Sequence, residues 1–309
     1  MESNLWKPRV LVIGPGGIKA LKILGFLSPL EDYKLLDLID TYCGVSIGAV
    51  ICLLTIVGYS IREIVGGAIA LDIFKEMEDF DFHSGNKGLI SNEPARKQLS
   101  KLVIDKLGNV PNLHNLYMMT GKSFISVTLN TTDDKCEMLS PSTHPTLSCV
   151  DAVIFSINIP FLFYQLIYQN KIYVDGVLGN PYPINYFDDG NTNILGIYVK
   201  NKENPIIQKI SPGEKIIPIN TYFLRIYDCL IDQRRNNIIQ KSSNKCKHVC
   251  LFCKSVNSSR VEIEDKSLML VEGYNEGREF LIDLKNNISQ DHIKEDFYEY
   301  PPYYINGET

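Results

Sequence analysis

The sequence predicts one α/β layered domain, and three observations predict it. Val10-Leu-Val-Ile13 is a β-branched apolar run that ends in Gly14-Pro-Gly-Gly17 and passes into helical spacing over Ile18 to Leu27. A second strand candidate, Leu35 to Tyr42, leads through Cys43-Gly44-Val45-Ser46-Ile47-Gly48 into an apolar helix reaching Val57. Strands and helices then alternate, with no internal repeat and no linker rich enough to cut the chain. The reading assigns residues 9–285 to this domain, after an N-terminal extension of residues 1–8 and before an irregular tail over 286–309.

The later elements follow in order. Residues 61–80 read as a helix, weakest at Gly66-Gly67, and His83 to Ile90 as a loop. Asn92-Glu93-Pro94 is a helix start, with asparagine at the cap and proline in the first turn, and this helix reaches about Leu107. Ser123 to Leu129 alternates like a strand and enters a polar hairpin at Asn130 to Lys135. Cys149 to Ser156 reads as a helix that stops before Pro160. Tyr168 to Asp175 is a hairpin about Asn170-Lys171, closing on Asp175-Gly176. Ile194 to Val199 is a strand, Asn201 to Pro218 a polar insertion, Thr221 to Ile239 a helix, His248 to Lys254 a strand and Asp265 to Leu284 a helix. The tail from Asp296 carries Pro301-Pro302 and reads as irregular.

Composition narrows the function classes. The 309 residues are 45% hydrophobic, which excludes a disordered or fibrous chain. With 31 basic against 36 acidic side chains, the net charge of −5 offers no broad nucleic-acid surface. It also argues against simple electrostatic capture by anionic lipid, so membrane contact would rest on a local patch. Eight cysteines are too sparse for a disulfide scaffold. Met1 to Arg9 lacks the apolar core of a secretory signal, so reduced thiols and a cytoplasmic location are expected, with peripheral membrane contact left open. The longest apolar stretch, Gly44 to Tyr59, falls short of the roughly 20 residues that span a bilayer and reads as a buried core helix.

Three motifs could carry chemistry. Gly44-Val-Ser-Ile-Gly48 is a Gly-x-Ser-x-Gly sequence between a strand and an apolar helix. A serine nucleophile needs such a sharp turn to project its hydroxyl, and the following helix N-terminus favours developing negative charge. Gly14-Pro-Gly-Gly17 fits either a dinucleotide loop with Ala20 in the third small position, or an oxyanion hole. Pro15 has no N–H, so Gly16, Gly17 and Ile18 are the available donors. A dinucleotide site wants an acid at the next strand end. Asp37 and Asp40 lie nearby but not cleanly there, and the serine turn occupies that place, which favours the oxyanion reading. Asp175 stands at a strand end before Gly176 and could serve Ser46 as a general base, although a turn aspartate is commonly just a surface residue.

Other chemistries fit the residues less well. A serine–histidine–acid esterase would use a late histidine such as His248 or His292, but Ser46 follows only one clear strand and the five histidines share no motif. Cys246, His248, Cys250 and Cys253 could bind zinc, but strand alternation points Cys250 and Cys253 apart and no glycine makes a knuckle. No metal and no cofactor is therefore expected. A nucleotide-binding or catalytically silent lipid-binding protein is the remaining alternative.

The glycine loop, the Gly44–Gly48 motif and Asp175-Gly176, in this order and spacing, resemble the patatin-like phospholipases. Gly88-Leu89, the stretch Leu116 to Thr128, and Asp151-Ala152 through Ser156 and Pro160 resemble the same family. The likeness is strong over about residues 9–200 and loose over 220–285. It implies a three-layer α/β/α fold on a mostly parallel sheet, and a serine–aspartate dyad without histidine. It further implies Ser46 as nucleophile, Asp175 as proton acceptor, and Gly16, Gly17 and Ile18 as the oxyanion hole. Gly14, Lys19, Gly44, Gly48 and Gly176 support the motifs, with Lys19 where the family often has arginine. Gly14-Pro15 departs from the usual Asp-Gly start, Ala20 replaces a glycine, and Val177 follows Gly176; none removes a catalytic group. The implied reaction is hydrolysis of a phospholipid or other acyl-lipid ester. Phe155, Ile157, Ile159, Phe161, Leu162 and Phe163, near the family's acyl cavity, are read mostly as core.

Overall fold

The computed structural model describes residues 6–70, 90–160, 162–202, 219–253 and 262–289. The second half of the helix read over 61–80, the loop at His83, Gly88-Leu89, Phe161, the polar insertion over 203–218, His292 and the tail lie outside the described residues.

Strand β1 (Val10–Ile13) passes through a single turn at Gly17–Lys19 into α1 (Ala20–Asp32). Strand β2 (Thr41–Val45) passes through Ser46 into α2 (Ile47–Ile56), and α3 (Ile61–Ala70) follows. Helices α4 (Glu93–Leu107) and α5 (Leu113–Thr120) precede β3 (Ser123–Asn130), which turns back as β4 (Lys135–Leu139). After α6 (Cys149–Ser156) comes the hairpin of β5 (Leu166–Tyr168) and β6 (Lys171–Asp175). Its turn residues Gln169 and Asn170 both have positive φ, the geometry that joins two twisted strands with least splay. Strand β7 (Ile194–Asn201), α7 (Ile219–Lys241), β8 (Cys246–Cys253) and α8 (Ile263–Ser289) complete the described chain.

The eight strands form one sheet in the order β5-β6-β3-β2-β1-β7-β8, with β4 also on β3. Strands β3, β2, β1, β7 and β8 are mutually parallel, and β4, β5 and β6 supply the antiparallel part. Alternation along the strands divides the core. Leu11 and Ile13 face the larger apolar cluster with α1 to α6 and α8, whereas Val10 and Val12 face a smaller one closed by α7 and the segment around Tyr182. Helices on both faces of a mostly parallel sheet make the three-layer α/β/α architecture.

Two helices owe their patterns to local features. Helix α2 is buried at every position from Ile47 to Leu54, so it shows no polar stripe; at 10 residues it is about 15 Å long and serves as a core rod. Helix α5 has no amphipathic signature because Tyr117, Met118 and Met119 are exposed; Asn112 starts it by accepting from Asn115 N at 2.7 Å. On the far side of the larger cluster, Lys22 of α1 is buried and its ammonium donates to Glu272 (2.9 Å) and the Phe252 carbonyl (2.6 Å), fastening α8 to α1 and to the end of β8.

One register places the candidate site. Strand β4 pairs Ser126 to Asn130 along one edge of β3. Strand β2 pairs β3 up to Val45↔Val127, and β6 pairs it from Thr128↔Asp175 onward. Both must therefore use the other edge. Strand β2 runs with β3 and β6 runs against it, so their C-terminal ends meet head to head between Val127 and Thr128.

Candidate active site

That meeting point brings Ser46 to Asp175 across 129 residues of sequence: Ser46 Oγ donates to Asp175 Oδ2 at 2.7 Å. The other carboxylate oxygen accepts from Val177 N at 2.9 Å, so the carboxyl is oriented from both sides. Asp175 is 1% exposed and Ser46 8%, which leaves the hydroxyl the more accessible of the two. Burial pushes the Asp175 carboxyl up to about 7, against the lowering effects of Ser46 and Val177 N–H.

The turn at Ser46 is as tight as a nucleophile elbow requires. Ser46 has φ 55° and ψ −127°, a region costing a non-glycine residue about 1–3 kcal/mol. The flanking glycines are there for close approach: a Cβ at Gly44 would collide with the backbone of Ala49, and one at Gly48 with the carbonyl oxygen of Ile13. Gly48 thereby seats the first turn of α2 against the end of β1.

The glycine loop lies level with this elbow, because Ile13 pairs with Gly44 in register. Gly14 N extends the ladder to the Ile197 carbonyl at 2.9 Å, and Gly17 takes φ 52°. Gly17 and Ile18 open a helical turn, so their N–H groups have no partner within it. Lys19 Nζ is held by Asn201 Oδ1 at 3.0 Å, at the end of β7. Gly176 packs where a Cβ would strike the Val127 carbonyl, keeping the chain after Asp175 tight on β3.

The alternative centres come apart in the fold. Asp40 precedes β2 and pairs with Arg9 at the strand's start, the opposite end from the glycine loop, and Asp37 lies in a turn before it. Neither can take the acid's place in a dinucleotide site. A hollow of about 540 Å³ at that same end, lined by Arg9, Asp40, Thr41 and Asn191 to Asn193, is likewise remote from Ser46. His248 is on β8, three strands from β2 and so about 14 Å across the sheet, where its Nδ1 is 3.0 Å from the Tyr182 hydroxyl. Strand β8 sends Cys246 into the smaller cluster and Cys253 into the larger, so the cysteines and His248 do not converge.

Two further residues touch the site without a motif to announce them, and a third stands near it. Ser156 Oγ accepts from Ser46 N at 2.8 Å, the Asn158 carbonyl accepts from Asp175 N at 2.8 Å, and Tyr227 of α7 lies close enough that the Asp175 charge adds to burial in raising its phenol. The signal for the first two is a serine and an asparagine inside the apolar run Val150 to Phe163. Asn92 also departs from expectation: its side chain does not cap α4 but donates to Asn158 Oδ1 at 2.8 Å. Phe155, Ile157, Leu162 and Phe163 are buried, Phe155 stacking on Tyr173.

An α/β/α sheet with a glycine loop and a serine elbow on adjacent strand ends is the frame of an acyl-hydrolase class. The sequence model of the patatin-like phospholipase family matches residues 11–188, and the chain belongs to that family. It is similar to the "Probable lipid hydrolase 463L" of Invertebrate iridescent virus 6, 26% identical over 220 residues, 70% of each chain. It is also 26% identical over 241 residues to the "Uncharacterized protein R571" of Acanthamoeba polyphaga mimivirus, covering 76% of this chain and 79% of that one. Among solved structures, VipD of Legionella pneumophila shares the fold with a TM-score of 0.63 at 14% identity, over 90% of this chain and 67% of VipD. The type III effector ExoU aligns with a TM-score of 0.51 at 12% identity, over 90% of this chain but only 53% of ExoU. Among the described residues, no helix is long and apolar enough to cross a membrane.

Proposed function

We propose that the protein hydrolyses carboxylic esters of lipids, as a phospholipase A or lysophospholipase, through a covalent intermediate on Ser46. The observation that carries this reading is the buried 2.7 Å hydrogen bond from Ser46 to a carboxyl whose affinity for a proton is raised to about 7. A carboxylate tuned to that range can take a proton near neutral pH and give it back.

In this reading Ser46 Oγ attacks the ester carbonyl carbon while its proton passes to Asp175. The carbonyl oxygen becomes an oxyanion facing the N–H groups of Gly16, Gly17 and Ile18. Collapse breaks the bond to the alcohol, which leaves with the proton from Asp175 as a lysolipid or free alcohol. Water then attacks the acyl-enzyme, Asp175 takes its proton, and the second collapse releases the fatty acid and returns the proton to Ser46. Nucleophile, base and oxyanion donors all come from the chain, so the mechanism needs no metal, and EDTA should leave the rate unchanged. A location in the cytoplasm with transient contact to a lipid surface fits such a substrate.

Labelling by a fluorophosphonate probe tests the reading, with Ser46→Ala as control and product analysis on mixed phospholipids to define the bond cleaved. Labelling that persists in Ser46→Ala, or turnover that EDTA abolishes, contradicts it.

A further inference from the structure

We infer that Ser156 and Asn158 are positioning residues that set the separation of Ser46 and Asp175. The inference rests on the dyad reading above and goes beyond it. Neither residue faces the reacting atoms; each holds the backbone of one member of the pair.

The need for such a bracket follows from the sheet. The pairing of β2 with β3 ends at Val45↔Val127, so the amide of Ser46 lies past the ladder, buried, in a conformation that serine tolerates poorly. An unpaired amide there would be free to relax out of the elbow. Ser156, fully buried at the last position of α6, accepts from it at 2.8 Å. The amide of Asp175, at the end of β6, is taken by the Asn158 carbonyl at 2.8 Å. Ile157 alone separates the two acceptors, so a stretch of three residues grips both strand ends where β2 and β6 meet on β3.

The bracket is itself fastened. Asn158 Nδ2 donates to the Tyr173 carbonyl at 2.8 Å and Asn158 Oδ1 accepts from Asn92, which ties the bracket to β6 and to the start of α4. Ser126 Oγ donates to the Ala152 carbonyl at 2.7 Å and Thr128 Oγ1 to the Val174 carbonyl at 2.9 Å, so β3 holds α6 and β6 on either side of the junction. Asn158 is 2% exposed and Asn92 8%; these amides spend their side chains on one another and on β6 rather than on solvent.

The experiment compares wild type with Ser156→Ala, Ser156→Thr and Asn158→Ala. For each, kcat and KM on a soluble p-nitrophenyl butyrate substrate, the fluorophosphonate labelling rate and the melting temperature are measured. Ser156→Ala and Asn158→Ala should each lower kcat and labelling about tenfold or more, with KM within about threefold of wild type. Ser156→Thr, which keeps the accepting oxygen, should recover most of the Ser156→Ala loss. The idea is overturned if Ser156→Ala keeps kcat within about twofold, or if threonine recovers nothing in a folded protein. Should either serine variant fail to melt cooperatively, Asn158→Ala decides alone: kcat within about twofold of wild type refutes the bracket. Failure of the dyad reading looks different, because wild type would then be unlabelled, labelled no less in Ser46→Ala, or inactivated by EDTA.

Discussion

Two adjacent units of the molecule have the same plan and opposite products. Each is a buried parallel strand, a glycine-flanked turn and an apolar helix: β1 to α1 through Gly14–Ile18, and β2 to α2 through Ser46. In the first, glycines carry the backbone around the turn and leave amide N–H groups unspent. In the second, glycines sit only on the flanks, and the strained position at φ 55° is given to a serine, whose side chain becomes the product. One turn offers backbone, the other a side chain, and the parallel register sets them level. Under the proposed mechanism this division would let one small frame supply both donor and nucleophile, with the base, Asp175, arriving from the antiparallel hairpin.

The sharpest way to break the contrast is Ser46→Ala, which empties the second turn and spares the first. Hydrolysis should fall about 10⁴-fold or more with the fold intact, measured as kcat on an ester substrate alongside a melting curve. Asp175→Asn should cost about 10³-fold or more, since an amide cannot take the proton. It should also change the pH dependence of stability. Between about pH 4 and 7 the native Asp175 is protonated while an unfolded carboxyl is not, so wild-type stability falls as pH rises through that window, by up to about 4 kcal/mol, and then levels off. Urea titrations of the asparagine variant should lack that fall, and matching slopes for the two proteins would show that Asp175 is not raised. The wild-type rate, in turn, should climb with pH through about 7.

The first turn is probed more gently. A Cβ at Gly16 would stand 2.9 Å from Val199 Cγ2, so Gly16→Ala should displace the amides and lower kcat about 100-fold while Ser46 is still labelled slowly by fluorophosphonate. Wild-type kcat in that variant would falsify the donor role of this loop. The smallest effect belongs to the remote histidine. His248→Gln should keep kcat within about threefold, because the ring binds Tyr182 on the far side of β1 and β7. A loss like that of Asp175→Asn would restore the histidine relay.

Much of this was legible because glycine and serine at turns leave a strong local pattern. Gly44 and Gly48 are required by collisions with Ala49 and Ile13, and such requirements appear directly in sequence. Asp175 stands out only through the family resemblance, since its place between a strand and Gly176 by itself fits a surface turn. What surrounds the Ser46–Asp175 hydrogen bond was not legible, since Ser156 and Asn158 are single polar residues in an apolar run and acquire meaning only through partners 110 residues back and 15 to 66 away. Asn92 carried a helix-start signal that its side chain does not honour, because a buried partner outcompeted the local cap. Helix α5 went unread for the opposite reason: three of its five apolar residues, Tyr117, Met118 and Met119, face out.

The end-to-end junction on β3 also sets where this chain can change length. A residue added at the Gln169-Asn170 turn would lengthen the hairpin tip and leave every pair from Thr128↔Asp175 to Asn130↔Tyr173 in place. The same residue added between Tyr173 and Asp175 would push the carboxyl about 3.4 Å along β3 and turn it to the opposite face of the sheet. Tolerance to insertion should therefore switch from permissive to absent within four residues of one short strand, and a scan of single-residue insertions through the hairpin would draw that boundary.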